Sequence, residues 1–197
     1  QYVLPYYDFS RSFFNNNNFA SFNFISKGDN VLKDTNSLRS RMINNLDIQS
    51  YDYYSKTGFK NNINYYLKNT ISAGKNNTEY DSSPHLKFMN ILELVSSFPL
   101  ISIGENTVDY LNPTVSLRIN PSDMKGYKNE NRQINNDNIF NIDRLGLIDT
   151  LESGQNLTLG LDYKKEKIEN INKYFEFKLG KVIKTKSNDD IPINSTL

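Results

Sequence analysis

The chain has no cysteine, no tryptophan and a single histidine, His85, among 197 residues. Without cysteine, neither a disulfide framework nor a thiolate metal site can form within it. One histidine gives poor support to a multi-histidine metal site or to a Ser-His-Asp triad. No apolar run approaches the roughly 20 residues that a membrane helix needs. That excludes an α-helical membrane protein and leaves a membrane barrel open. A surplus of one charge is also missing: 23 Lys and Arg stand against 22 Asp and Glu, a net charge of +1. This argues against a nucleic-acid arm or a polybasic membrane segment. Residue 1 is Gln, and neither a basic n-region nor an apolar signal region follows. The chain therefore reads as an internal piece of something longer, and a missing signal says nothing about export.

What is present is aromatic. Hydrophobic residues make up only 37% of the chain, yet 13 Tyr and 12 Phe bring the aromatic share to 13%. Both favour strands, and few segments carry the apolar stripe of a helix. In 156–180, Leu157, Leu159, Leu161 and Tyr163 alternate with Thr158, Gly160 and Asp162. After a polar turn, Phe175, Phe177 and Leu179 alternate with Tyr174, Glu176, Lys178 and Gly180. Period-two alternation gives one apolar and one polar face. The same reading over 2–13, 19–26, 38–54, 59–72, 85–100 and 108–120 predicts about eight long strands. Between them, short connections (15–18, 55–58, 104–106 and the turn ending at Asn172) alternate with longer ones (28–36, 73–84, 121–155 and a polar tail after Thr185).

The fold class expected is therefore all-β: an antiparallel up-and-down meander of about eight strands, with short turns on one rim and long loops on the other. That asymmetry, and segments longer than ten residues, are features of outer-membrane barrels, whose tilted strands need about 9–11 residues to cross lipid. Aromatics beside the short turns (Phe13, Phe14, Phe19, Tyr51, Tyr53, Tyr54, Phe59, Phe98, Tyr110, Tyr163 and Tyr174) fit an interfacial girdle better than plain strand preference, because mid-strand positions are mostly aliphatic or polar. On the barrel reading the apolar parity meets lipid. Lys60, Lys68, Arg118, Asp162, Glu176 and Lys178 then face the lumen, although a solvated sheet face would look the same. Two residues fit badly. Arg11 lies on the lipid-facing parity near a rim, and Asn90 lies on the apolar parity, where a bulge or a register error would be needed.

Catalytic and cofactor signals are lacking. No phosphate loop, metal spacing or nucleophile elbow appears, and the chain is expected to be neither an enzyme nor a cofactor carrier. His85 reads as a hydrogen-bonding residue at a strand start. Asp149 and Glu152 pair in sequence within the longest connection, where acids are usually just solvated. Three Asn-x-Ser/Thr triplets, at Asn76, Asn156 and Asn194, match the glycosylation pattern by chance in an Asn-rich chain.

One stretch carries more than architecture. NIFNIDRLGLIDTLESGQNLTLGLDY, residues 138–163, has an Asn-aromatic segment (Asn138, Phe140), an Arg (Arg144), Asp-x-x-Glu-x-Gly (Asp149, Glu152, Gly154), then an alternating strand containing Gly160. It resembles the outer-membrane lipopolysaccharide-assembly family LptD, also called OstA or Imp. LNPTVSLRINPSD, with Pro113 and Pro121, resembles the family's preceding strand. FKLGKVIKTKSNDDIPINSTL resembles its following strand and loop, and the opening VLPYYDFSRSF an earlier strand, more weakly. The sequence departs from the family at Gly146, one position early with Leu147 behind it, and at Lys181 and Lys184, where Gln and Arg are commoner.

The resemblance implies a large closed barrel in the outer membrane. That barrel receives lipopolysaccharide from a periplasmic bridge and passes it to the outer leaflet, with an LptE-like lipoprotein plugging the lumen. Residues 1–197 would then be a partial barrel domain of middle-to-late strands, without the family's jelly-roll domain and gate strand. The partners implied are lipopolysaccharide, the plug lipoprotein, bridge components and the membrane, with no nucleic acid. Two alternatives stay open: another outer-membrane barrel, such as a porin or receptor, and a soluble β-sandwich binding module. In the long connection, Phe140, Leu145, Leu147 and Leu151 are expected to pack against the sheet, and Arg144 to pair with Asp149 or Glu152.

Overall fold

A computed structural model describes residues 2–14, 19–33, 36–78, 80–122, 124 and 133–185. The expected turn at 15–18, the loop resemblance at 186–197 and the Asn194 triplet lie outside the described residues. The structure is all-β. One antiparallel sheet is built from β1 (Tyr2–Phe14), β2 (Ala20–Lys33), β3 (Ser37–Ser50), β4 (Tyr53–Tyr54), β5 (Lys60–Lys75), β6 (His85–Ser97), β7 (Leu100–Ile103), β8 (Thr107–Asn120), β9 (Gly154–Lys167) and β10 (Tyr174–Lys184). Its order is β1-β2-β3-β5-β6-β8-β9-β10, an up-and-down meander. Among the described residues β1 and β10 each pair on one side only, so the sheet is open.

The eight expected strands are the eight of this path, and the two short elements are continuations of their neighbours. β7 pairs β8 in the register already set by β6 (Ser97↔Thr114, then Leu100↔Leu111). Pro99 interrupts the strand because it has no N–H to donate. β4 pairs Tyr53 with Asn61. It follows an irregularity at Tyr51 and Asp52 and leads into a tight turn closed by the Ser55 N–H to Phe59 O bond, 2.8 Å, with Gly58 at φ 90°.

The expected alternation of short and long connections fails at 28–36; elsewhere the longer connections, 76–84 and 121–153, lie on one rim and the shorter ones, 55–59, 104–106 and 168–173, on the other. Residues 28–33 are strand, and β2 passes to β3 through 34–36. Gly28 and Asp29 resemble a turn signal but serve the sheet. A Cβ on Gly28 would lie 2.3 Å from Cε1 of Tyr7, so the glycine lets the tyrosine ring lie across the neighbouring strand. Asp29 accepts hydrogen bonds from Arg39 (2.7 Å) and Arg41 (2.9 and 3.1 Å) on β3. One connection, 121–153, stands apart in length.

Asn90 needs neither a bulge nor a register change. The β5–β6 pairing runs unbroken from Lys60↔Ser97 to Ser72↔His85. β8 ends at Asn120, so Asn90 has no partner residue there, and its N–H donates to Ser122 Oγ at 3.2 Å. Arg11 lies on the apolar face near the first rim, its guanidinium 4.8 Å from the centre of the Phe13 ring.

The two faces differ in an unusual sense. Val115, Leu117, Leu159, Phe175, Phe177, Leu179, Leu92, Leu94, Phe88 and Ile63 are exposed. Ser116, Arg118, Asn120, Thr158, Asn156, Lys68, Thr70 and Glu93, on the other parity, are buried. Among the described residues the buried ones include more polar than apolar side chains, the reverse of an ordinary core. The cover on the polar face is the described part of the 121–153 connection, chiefly 133–153.

Candidate functional site

The polar face is built by period-two geometry: β5 presents Tyr66, Lys68 and Thr70, β6 Met89, Ile91 and Glu93, β8 Ser116, Arg118 and Asn120, β9 Asn156, Thr158 and Gly160, and β10 Gly180, Val182 and Lys184. Onto it folds the connection, without regular secondary structure over its described residues. Polar backbone brought against a sheet must find partners, and polar side chains of the sheet supply them. Lys68 Nζ donates to the carbonyls of Leu147 (2.6 Å) and Thr150 (3.4 Å) and to Asp143 Oδ2 (3.0 Å). Arg118 donates to the carbonyls of Asn141 (2.6 Å) and Ile142. Asn120 donates to the Glu152 carbonyl at 2.7 Å.

Glu152 is the electrostatic centre. It is 3% exposed. Arg144 donates to both its oxygens, from Nε at 2.5 Å and Nη2 at 2.7 Å. Arg118 Nη1 lies 3.4 Å away and Lys184 Nζ 3.3 Å. Burial pushes the carboxyl up, but the Arg144 hydrogen bonds and the charges of Arg144, Arg118 and Lys184 outweigh it. They hold Glu152 below the ordinary glutamate value. Asp149 does not join this centre; it accepts a bond from the Tyr80 hydroxyl at 3.1 Å. The two acids that looked like a carboxylate pair therefore serve separate structural bonds.

A second attachment is steric. Gly160 and Gly180 are paired across β9 and β10. A Cβ on Gly160 would meet the Phe140 ring at 2.5 Å, and one on Gly180 would meet Ile139 Cδ1 at 2.7 Å. The two glycines make a flat seat for two apolar side chains. Ile139 joins Met124, Ile134, Leu145 and Leu147 in a small apolar cluster, with Phe140 and Val182 against it. Leu151 packs with Tyr66, Met89 and Ile91. Asn138 shapes the connection itself, accepting from the Asn135 N–H (2.8 Å) and donating to the Gln133 carbonyl (2.8 Å). Gly154 begins β9 at φ 92°, in the left-handed region.

The six polar-parity candidates divide. Lys68 and Arg118 lie beneath the connection as described. Lys60 pairs with Asp52 at 2.9 Å, and Lys178 with Glu176 at 3.1 Å, all partly exposed. Asp162 is half-buried opposite Lys178. Sequence reasoning did not single out Asp143, Asn120 or Gly180 for this site. Their signals were faint: an acid beside Arg144, and polar or small residues on the polar parity. Toward the first rim the connection leaves a chamber of about 400 Å³, lined by Asp52, Asn62, Asn64, Glu93, Phe140 and Asp143 among others. His85 is exposed at the start of β6. Among the described residues no group of acids and histidines could hold a metal.

The apolar face carries a polar row across its first strands. The Tyr7 hydroxyl and Ser26 Oγ are 3.1 Å apart, Ser26 donates to Asn44 Oδ1 (2.7 Å), Asn44 to Asn69 Oδ1 (3.2 Å), and Asn69 to the Lys87 carbonyl (3.3 Å). Across four strands, each polar side chain is bonded to the next. Compared with models of protein families the chain matches none, and compared with curated proteins it matches none.

Proposed function

We propose that this chain is a length of outer-membrane β-barrel wall, with its apolar face in lipid, its polar face toward the lumen, and 133–153 as part of a loop folded into that lumen. The observation that supports it is the inversion of the sheet. An exposed apolar face of this extent marks a surface made for another medium or partner, and lipid-out, polar-in alternation is the barrel pattern. The bonded row Tyr7–Ser26–Asn44–Asn69 supports it too. In hydrocarbon an unsatisfied polar group costs several kcal/mol, and a water-facing row has no need to bond internally.

On the resemblance of 138–163, we assign the wall to a lipopolysaccharide-assembly barrel of the LptD family, acting with a plug lipoprotein and periplasmic bridge components and performing no chemistry itself. The second reading is a barrel of another kind, a channel or receptor, favoured by a loop on the polar face that would narrow a pore. In-cell photocrosslinking tests the choice. Probes at Asp162, Glu176 or Lys178 should capture lipopolysaccharide, and depletion of the intact protein should lower lipopolysaccharide in the outer leaflet. A barrel that yields neither result is a channel or receptor.

A further inference from the structure

The described part of the 121–153 connection is held to the sheet by charged side chains and by two apolar clusters. Its ties reach β5 through Lys68, β8 through Arg118 and β10 through Lys184, and two of those three converge on Glu152. The strands against Glu152 present cations: Arg118 on β8 and Lys184 on β10, with β9 contributing Thr158, which accepts from Arg144 at 3.3 Å. The nearby acids are engaged elsewhere. Glu93 of β6 accepts from Ser116 (2.9 Å) and Asn64 (3.1 Å), and Asp143 of the connection pairs with Lys68. One carboxylate thus joins three cations from three separate segments. Remove its charge and Arg118, Arg144 and Lys184 repel one another where little water screens them.

We propose that 133–153 is a releasable plug on the polar face and that Glu152 is its latch: loss of that single charge frees the plug and leaves the strand ladder in place. The ladder can stand without it, because β8–β9 pairing is continuous from Thr107↔Lys167 to Asn120↔Gly154, and β9–β10 pairing from Tyr174↔Glu166 to Lys184↔Asn156. The apolar seat on Gly160 and Gly180 is flat; the other apolar contacts of the plug are Val182 and, for Leu151, Tyr66, Met89 and Ile91. The acidity of Glu152 has the matching sign. A carboxyl lowered in the closed state stabilises that state above its ordinary value, about 4.3. The contribution is lost as pH falls through the depressed value. The plug is closed at neutral pH and leaves in acid. The inference rests on the wall reading only for the medium in which the chain is folded.

The test is hydrogen–deuterium exchange on the intact protein that carries this chain, folded in lipid vesicles, corrected for intrinsic rates, from pH 7 to pH 3 and in variants at pH 7. In Glu152→Gln, amides of 133–152 should exchange about a hundredfold faster or more, the effect of stripping one partner from a buried ion pair. Strands β5, β8 and β9 should be unchanged, and Glu152→Asp should respond less. Adding Lys184→Met to Glu152→Gln removes one of the repelling cations and should restore about tenfold of the protection. In the wild type, acid should release the plug before the strands. An unresponsive plug, or equal loss in plug and strands, would overturn the latch. Strand amides unprotected in the wild type at pH 7 would overturn the wall reading with it.

Discussion

The ring of Phe140 occupies the space that a side chain on Gly160 would need: a Cβ there would lie 2.5 Å from ring carbons Cε2 and Cζ. Gly160→Ala must therefore move the ring, and overpacking of this kind costs about 1–3 kcal/mol. The expected outcome is a plug that exchanges faster while the β9–β10 ladder keeps its protection. Gly154→Ala should act differently. Nothing lies within 4 Å of its Cβ, so its cost is the left-handed backbone at φ 92°, about 1–2 kcal/mol, felt at the start of β9. Residue-resolved exchange on the two variants separates the causes.

Arg144 holds both oxygens of Glu152 and reaches Thr158. Arg144→Ala should destabilise the folded connection by about 3–5 kcal/mol, the cost of leaving a buried charge without its main partner. On the proposed lipopolysaccharide reading, it should speed exchange in the connection more than it lowers lipopolysaccharide affinity in the intact protein. An unchanged connection with lost lipid binding would show that the arginine binds lipid phosphate instead.

Replacing Leu159, on the apolar face, by Arg should cost about 2–4 kcal/mol if that face lies at mid-bilayer, read as a loss of folded chain in vesicles. Asp162→Arg on the polar face should cost far less. Equal effects at both positions would mean that the apolar face does not meet lipid.

Asn44 sits in the middle of the bonded row on the apolar face. Asn44→Ala leaves Ser26 and Asn69 short of a partner, which costs about 1–3 kcal/mol in a water-free setting. In water the partners would rebind solvent and the change would be near neutral. Urea-induced unfolding from vesicles distinguishes the two.

Because the chain has no cysteine, single cysteines report the faces directly. Phe177→Cys should react with a lipid-soluble thiol reagent and resist a membrane-impermeant one. Glu176→Cys, one residue away, should show the reverse. Like reactivity at the two sites would remove the lipid reading.

The strand path and the division of the faces were legible in the residues themselves, because a side-chain period of two is local. Leu157, Leu159 and Leu161 against Thr158 and Asp162 declare two faces before any partner strand is known. Connection lengths were not legible at 28–36. Gly28 and Asp29 look like a turn, and only the pairing across strands reveals that one seats Tyr7 and the other binds Arg39 and Arg41. The connection's role depended on contacts between residues far apart in the chain. Arg144 and Glu152 are eight residues apart and could be paired by inspection. Lys68 to Leu147, Arg118 to Glu152 and Lys184 to Glu152 could not, since such contacts exist only once the sheet has set which side chains share a face. Local pattern therefore determined that one face is apolar and the other polar. Tertiary structure alone decided that the polar face is the covered one, and that one buried carboxylate gathers cations from both the cover and the sheet.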